Sequence, residues 1–178
     1  GAELILVQNA SPYHLGKASQ RAAVVNAAVK ETHLPIVYLN LVGGQDELVF
    51  DGRSYAVDAM GRDVARLPGF GEALAITKWE KNEITATDAG SSRVASPGEP
   101  PRSAGGMGAW PPSDSWHCIS GPMVGTKSDE ETIYHALVLG LRDYVEKNKF
   151  PGVVLGLSGG IDSGVTAAIA VDALGPEK

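Results

Sequence analysis

Gly156-Leu157-Ser158-Gly159-Gly160-Ile161-Asp162-Ser163 joins two segments of opposite character, and its reading decides the fold of the region. Ahead of it, residues 152 to 157 form a short apolar run rich in β-branched residues, which predicts a strand buried on both faces of a parallel sheet. Behind it, residues 164 to 174 have helical spacing and stop at Gly175-Pro176. The loop therefore lies at the carboxyl end of a strand and the amino end of a helix. Anions bind at such junctions, because free backbone amides and the positive end of the helix dipole converge there.

Adjacent glycines let main-chain amides approach an oxyanion, and the Ser158 and Ser163 hydroxyls can donate to it. Asp162 would repel a bare polyphosphate, so its presence points to an intervening Mg²⁺. The loop is not a Walker A motif, which needs Lys followed by Ser or Thr after the second glycine. A glycine turn in which Asp162 and Ser163 only satisfy a helix terminus is the competing reading.

The loop resembles the pyrophosphate loop of the N-type ATP pyrophosphatases. The resemblance extends over residues 133 to 145 and 150 to 174, which are similar to the start of the synthetase domain in the glutamine-dependent NAD⁺ synthetase family. It implies that Gly156, Leu157, Ser158, Gly159, Gly160, Ile161, Asp162 and Ser163 bind ATP. It also implies that Asp162 helps position Mg²⁺ and that deamido-NAD⁺ is amidated through an acyl-adenylate, using ammonia from glutamine. Another amide- or thiol-transferring ATP pyrophosphatase, or a non-catalytic remnant, are the other readings of the loop.

The first half of the chain reads as β-α-β. A buried strand over 4 to 9 precedes the turn Ser11-Pro12-Tyr13-His14, a helix over 17 to 31, and a strand over 36 to 41 opened by Pro35. Ala22, Val25, Ala28 and Val29 share the helix's apolar face. After Gly43-Gly44-Gln45-Asp46-Glu47, short antiparallel strands are expected over 48 to 50, 54 to 58 and 63 to 67. Their turns fall at Asp51-Gly52 and at Met60-Gly61. This half, notably Asn9 to His14 and Val42 to Gly52, resembles the carboxyl half of a nitrilase-like glutaminase domain.

That resemblance implies that Ser11 and Lys17 bind glutamine, whose α-carboxylate a hydroxyl and an ammonium at a βα turn would suit. A turn serine and a solvated lysine are the alternative. His14 and Arg21 read either as helix-flank packing or as support for those two residues. Gln45, Asp46 and Glu47 read as a seam between domains or as polar loop. No catalytic residue is expected here: the family's Cys, Glu and Lys would lie upstream of Gly1, and the chain reads as an internal fragment. Cys118, the single cysteine, falls in sequence expected to be irregular, and its neighbour His117 is not expected to face it.

Three segments are expected: residues 1–87 as the carboxyl part of the nitrilase-like domain, 88–127 as a Pro/Gly/Ser-rich linker, and 128–178 as the start of the synthetase domain. The fold class expected is α/β, with part of an α-β-β-α sandwich followed by the first strand-helix unit of a doubly wound parallel sheet. Within the linker, Trp110 and Trp116 are candidate surface anchors. Ser128-Asp129-Glu130-Glu131 reads as a capping box ahead of a helix bearing Ile133, Leu137, Leu141 and Tyr144.

One cysteine excludes an internal disulfide and fits a reducing cytoplasm. No apolar run approaches the roughly 20 residues that span a bilayer. A formal charge of -6 argues against a broad nucleic-acid surface, so neither nucleic acid nor membrane is an expected partner. The full-length protein is expected to be a homo-oligomer.

Overall fold

The computed structural model describes residues 1–83 and 114–178. Strand β1 (Ile5–Asn9) leads through the Ser11 turn into helix α1 (Lys17–Thr32), and β2 (Ile36–Asn40) returns parallel to β1, pairing Ile5 with Ile36 and Asn9 with Asn40. The expected β-α-β unit is therefore present. β1 is not buried as expected, because among the described residues its one ladder neighbour is β2, and Leu6 remains 68 % exposed. Helix α1 starts at the left-handed Gly16 and ends at the left-handed His33, whose N–H is donated to the Val29 carbonyl. Its Val25 and Val29 pack with Ile36, Tyr38 and Val57 into the first core.

The sheet continues through two antiparallel neighbours, β5 (Tyr55–Val57) and β6 (Asp63–Arg66), in the order β1-β2-β5-β6. The turn at Gly61, with φ of 74°, links β5 to β6 as the sequence predicts. The expected hairpin at Asp51-Gly52 does not form. Instead β3 (Val42–Gln45) and β4 (Leu48–Asp51) pair with each other around Asp46-Glu47 and make a separate two-stranded ribbon. Gly43-Gly44, expected before the strands began, thus lies inside one. Gly52 and Arg53, with φ of 62° and 52°, then turn the chain from this ribbon back to the main sheet.

β7 (Lys78–Glu83) pairs antiparallel with β8 (Asp114–Ser120). Cys118 therefore occupies a strand opposite Trp79, where irregular sequence was expected. Pairing across the intervening segment imposes a regularity that local composition does not display. Trp110 and most of the expected linker lie outside the described residues. Trp116 lies on β8, and Lys81 of β7, whose Nζ is 2.8 Å from Glu3 Oε1, holds the Glu3 carboxyl below the usual carboxylate range.

Helix α2 (Asp129–Lys147) begins as predicted: the Ser128 Oγ accepts the Glu131 N–H at 3.2 Å. Its buried face, however, carries Thr132, Ala136, Leu139 and Val145, whereas Ile133, Leu137 and Tyr144 stay largely exposed. Ala136 and Leu139 join Phe70, Tyr13, Val42 and Val49 in a second core, so α2 lies on the β3–β4 ribbon. Residues 151 to 157 do not form the predicted strand. Among the described residues no strand stands beside them to complete a ladder, and Val154 is fully exposed. Helix α3 (Ile161–Leu174) starts three residues earlier than expected, taking Asp162 and Ser163 into its first turn.

Candidate functional site

Gly159 has φ of 83°, a conformation that only glycine adopts freely, and it reverses the chain immediately before α3. Gly160 is the N-cap and has no side chain to satisfy the first-turn amides. Those amides have no intrahelical acceptors, so the helix presents donors to whatever stands before it. Across the loop, Ser158 Oγ lies 3.1 Å from Ser163 Oγ, and Ser163 Oγ donates to the Gly160 carbonyl at 3.0 Å. The two hydroxyls named from sequence are therefore brought together at an uncapped helix start.

The Asp162 side chain is exposed and has no hydrogen bond or ion pair to a described residue. Among the described residues no group of three or more His, Cys, Asp or Glu forms a metal cage. A single unengaged carboxylate does fit Mg²⁺, which commonly takes one or two protein carboxylates and fills its octahedron with phosphate oxygens and water. Asp162 also complements the helix dipole where it stands.

The second candidate region is the β1–α1 turn, at the carboxyl ends of two parallel strands, where ligands of α/β sheets collect. Asn40 anchors it: its Oδ1 accepts the Ser11 N–H at 2.9 Å, and its Nδ2 donates to the Ser11 and Gly52 carbonyls. Ser11 Oγ accepts from Arg21 Nε at 3.2 Å, which leaves the hydroxyl proton for another acceptor. Lys17 is the first residue of α1 and is half-buried, with no carboxylate partner among the described residues. His14 is exposed and contacts the Leu15 carbonyl.

Arg21, undecided from sequence, is a buried structural cation. Its Nη1 lies 2.7 Å from Asp51 Oδ1, and its Nη2 donates to the Ser11 carbonyl at 2.7 Å. Sequence reasoning missed both Asp51, read as a hairpin turn, and Asn40. A polar residue closing an apolar strand was the signal available for Asn40.

Of the two readings of Gln45, Asp46 and Glu47, the exposed polar loop is the one met, and the contact between the two halves runs through Gly44 instead. Gln45 and Asp46 are exposed and bond to each other, whereas Gly44 donates its N–H to Asp143 Oδ2 at 2.7 Å and its carbonyl accepts from Lys147 Nζ. His117 and Cys118 are adjacent on β8, where successive side chains alternate between faces, and the Cys118 thiol contacts the Ser120 carbonyl. Among the described residues no helix is long and apolar enough to cross a membrane.

Residues 133–178 match the family model described as NAD synthase. Over 98 % of its length the chain is 41 % identical to a glutamine-dependent NAD(+) synthetase from Rhodobacter capsulatus, of which it covers 26 %. It is 42 % identical over its full length to the one from Aquifex aeolicus, of which it covers 31 %. The structure of the glutamine-dependent NAD+ synthetase from Acinetobacter baumannii in complex with adenosine diphosphate aligns with a TM-score of 0.72 and 36 % identity, over 98 % of this chain and 27 % of that one. The Cytophaga hutchinsonii synthetase, 22 % identical, shares the fold with a TM-score of 0.61, over 97 % of this chain and 23 % of that one.

Proposed function

The chain is a relative of the glutamine-dependent NAD(+) synthetases along its whole length, and on that premise we propose that it forms the joint between the two catalytic units of such an enzyme. It spans roughly a quarter to a third of the length of the curated relatives it matches, so the reaction is that of the longer protein. Residues 1–87 are the carboxyl part of a nitrilase-like glutaminase, 88–127 the connection, and 128–178 the opening of an ATP pyrophosphatase domain.

The observation that carries this reading is the uncapped start of α3 behind Gly159-Gly160, inside the stretch that the NAD synthase model matches. There the loop from Gly156 to Ser163 holds the phosphates of ATP. The carboxylate of deamido-NAD⁺ attacks the α-phosphorus, forming the acyl-adenylate as the bond to pyrophosphate breaks. Backbone amides of the first turn stabilise charge on the departing group. Ammonia from glutamine then displaces AMP and loses a proton, leaving the amide. Asp162 would hold Mg²⁺, which would neutralise the polyphosphate charge. Ser11 and Lys17 bind glutamine in the other unit, whose nucleophilic chemistry belongs to residues outside this chain. The working protein is a cytoplasmic homo-oligomer.

Exchange of labelled pyrophosphate into ATP that depends on deamido-NAD⁺, measured on the full-length protein, tests the assignment. Asp162→Ala is expected to abolish it while glutamine hydrolysis persists. Exchange at the unaltered rate in that variant, or exchange without deamido-NAD⁺, would sink the reading.

A further inference from the structure

Arg21 is 6 % exposed and carries more donors than its ion pair uses. Its Nη1 faces Asp51 Oδ1 at 2.7 Å, and Asp51 is itself buried. The other two nitrogens turn to the β1–α1 connection, chiefly to one residue. Nε donates to Ser11 Oγ at 3.2 Å and Nη2 to the Ser11 carbonyl at 2.7 Å, with the Pro12 carbonyl 3.4 Å from Nη2. The ion pair explains the charge of this side chain but not the aim of its fork.

Asn40, the last residue of β2, holds the same serine by its backbone. Its Oδ1 accepts the Ser11 N–H at 2.9 Å, and its Nδ2 donates to the Ser11 carbonyl at 3.3 Å and to the Gly52 carbonyl at 3.1 Å. Asn40 is anchored in turn, since its own N–H is donated to Ser54 Oγ at 3.0 Å. Ser11 lies outside any helix or strand, so these side-chain bonds decide its conformation.

The N–H, the carbonyl and one lone pair of the hydroxyl are thereby committed. A guanidinium has no acceptor, so the hydroxyl proton cannot return to Arg21, and no described residue takes it. An oxygen that accepts from a cation also donates its own proton more strongly. Asp51 meanwhile absorbs the charge of the guanidinium, so Arg21 does not compete for an anion with Lys17, one helical turn away on the same face of α1.

We propose that Arg21 and Asn40 are positioning residues for glutamine, fixing the Ser11 hydroxyl as a donor to the α-carboxylate without touching the substrate themselves. The inference rests on the reading of Ser11 as a glutamine ligand. Steady-state glutamine hydrolysis by the full-length protein, run as a double-mutant cycle, tests it. Arg21→Lys keeps a cation for Asp51 but loses the fork to Ser11. It is expected to raise KM for glutamine about tenfold with kcat nearly held, Ser11→Ala to raise KM by a similar factor, and the double variant to raise it no further than either alone. A purely structural role would instead lower the active fraction, and so kcat, at constant KM. Should Arg21→Lys lose the wild-type circular dichroism, Asn40→Ala carries the test in the same cycle, its effect on KM absent when residue 11 is alanine. In a variant that keeps that spectrum, a fall in kcat at unchanged KM, or KM factors that multiply in the double variant, would overturn the proposal and leave Ser11 as a ligand. An unchanged KM in Ser11→Ala would remove the ligand reading and the proposal together.

Discussion

Gly44 and Asp143, 99 residues apart, are joined by a 2.7 Å hydrogen bond from the glycine N–H to the aspartate Oδ2. A Cβ at Gly44 would lie 3.1 Å from Asp143 Cβ and 3.2 Å from Gly140 Cα, and one at Gly140 would lie 3.1 Å from Val49 Cγ2. The helix and the ribbon meet backbone against backbone because neither glycine carries a side chain. Asp143→Ala strands the Gly44 amide and should cost about 1–3 kcal/mol in urea denaturation. Gly44→Ala should cost a similar amount through overpacking, about 1–3 kcal/mol. Asp143→Asn, which keeps an acceptor oxygen, should lose less.

The Arg21–Asp51 pair has side-chain exposures of only 5 % and 1 %. Removing one partner leaves the other charge buried, so Arg21→Ala or Asp51→Ala should each destabilise by about 3–5 kcal/mol. The double variant should lose less than the sum of the two, which a double-mutant cycle in denaturant would read out.

Gly159→Ala places a Cβ in a left-handed turn, at a cost of about 1–2 kcal/mol. Nothing stands within 4 Å of that position, so the effect is conformational and not steric crowding. In the full-length protein the apparent KM for ATP should rise while glutamine hydrolysis is retained, as steady-state kinetics on both half-reactions would show.

Tyr134 donates to Asp172 Oδ2 at 2.6 Å, tying α2 to α3, and that bond raises the tyrosine's pKa above its ordinary value. The stabilisation is present below the unfolded tyrosine's pKa and disappears as pH rises through the folded one. An ultraviolet difference titration should therefore find a tyrosine ionising late, and Asp172→Asn should bring it back towards the ordinary range.

Cys118 Sγ contacts the Ser120 carbonyl at 3.1 Å, and His117 precedes it on the strand, where successive side chains alternate between faces. Cys118→Ala in the full-length protein should leave glutamine turnover unchanged. A large loss would make this thiol part of the glutaminase.

Local patterns made several elements legible. The β-α-β unit followed from apolar periodicity and Pro35, the Gly61 turn from its glycine, and the start of α2 from Ser128, because each is decided within a few neighbouring residues. The phosphate-loop candidate was readable for the same reason: two glycines, two serines and an aspartate act over a single turn.

Partnerships over long separations were not readable. Asp51-Gly52 has the chemistry of a hairpin turn, yet β4 had already found β3, so the turn became a crossing between sheets. Residues 152 to 157 have a strand's composition but no neighbour among the described residues, and a ladder needs two strands. Composition and spacing thus determined where the helices and the β-α-β unit lie. Only the tertiary structure decided which strand met which, which face of α2 was buried, and that Asp51 and Asp143 would close on partners far along the chain, since burial and pairing energies belong to pairs of segments.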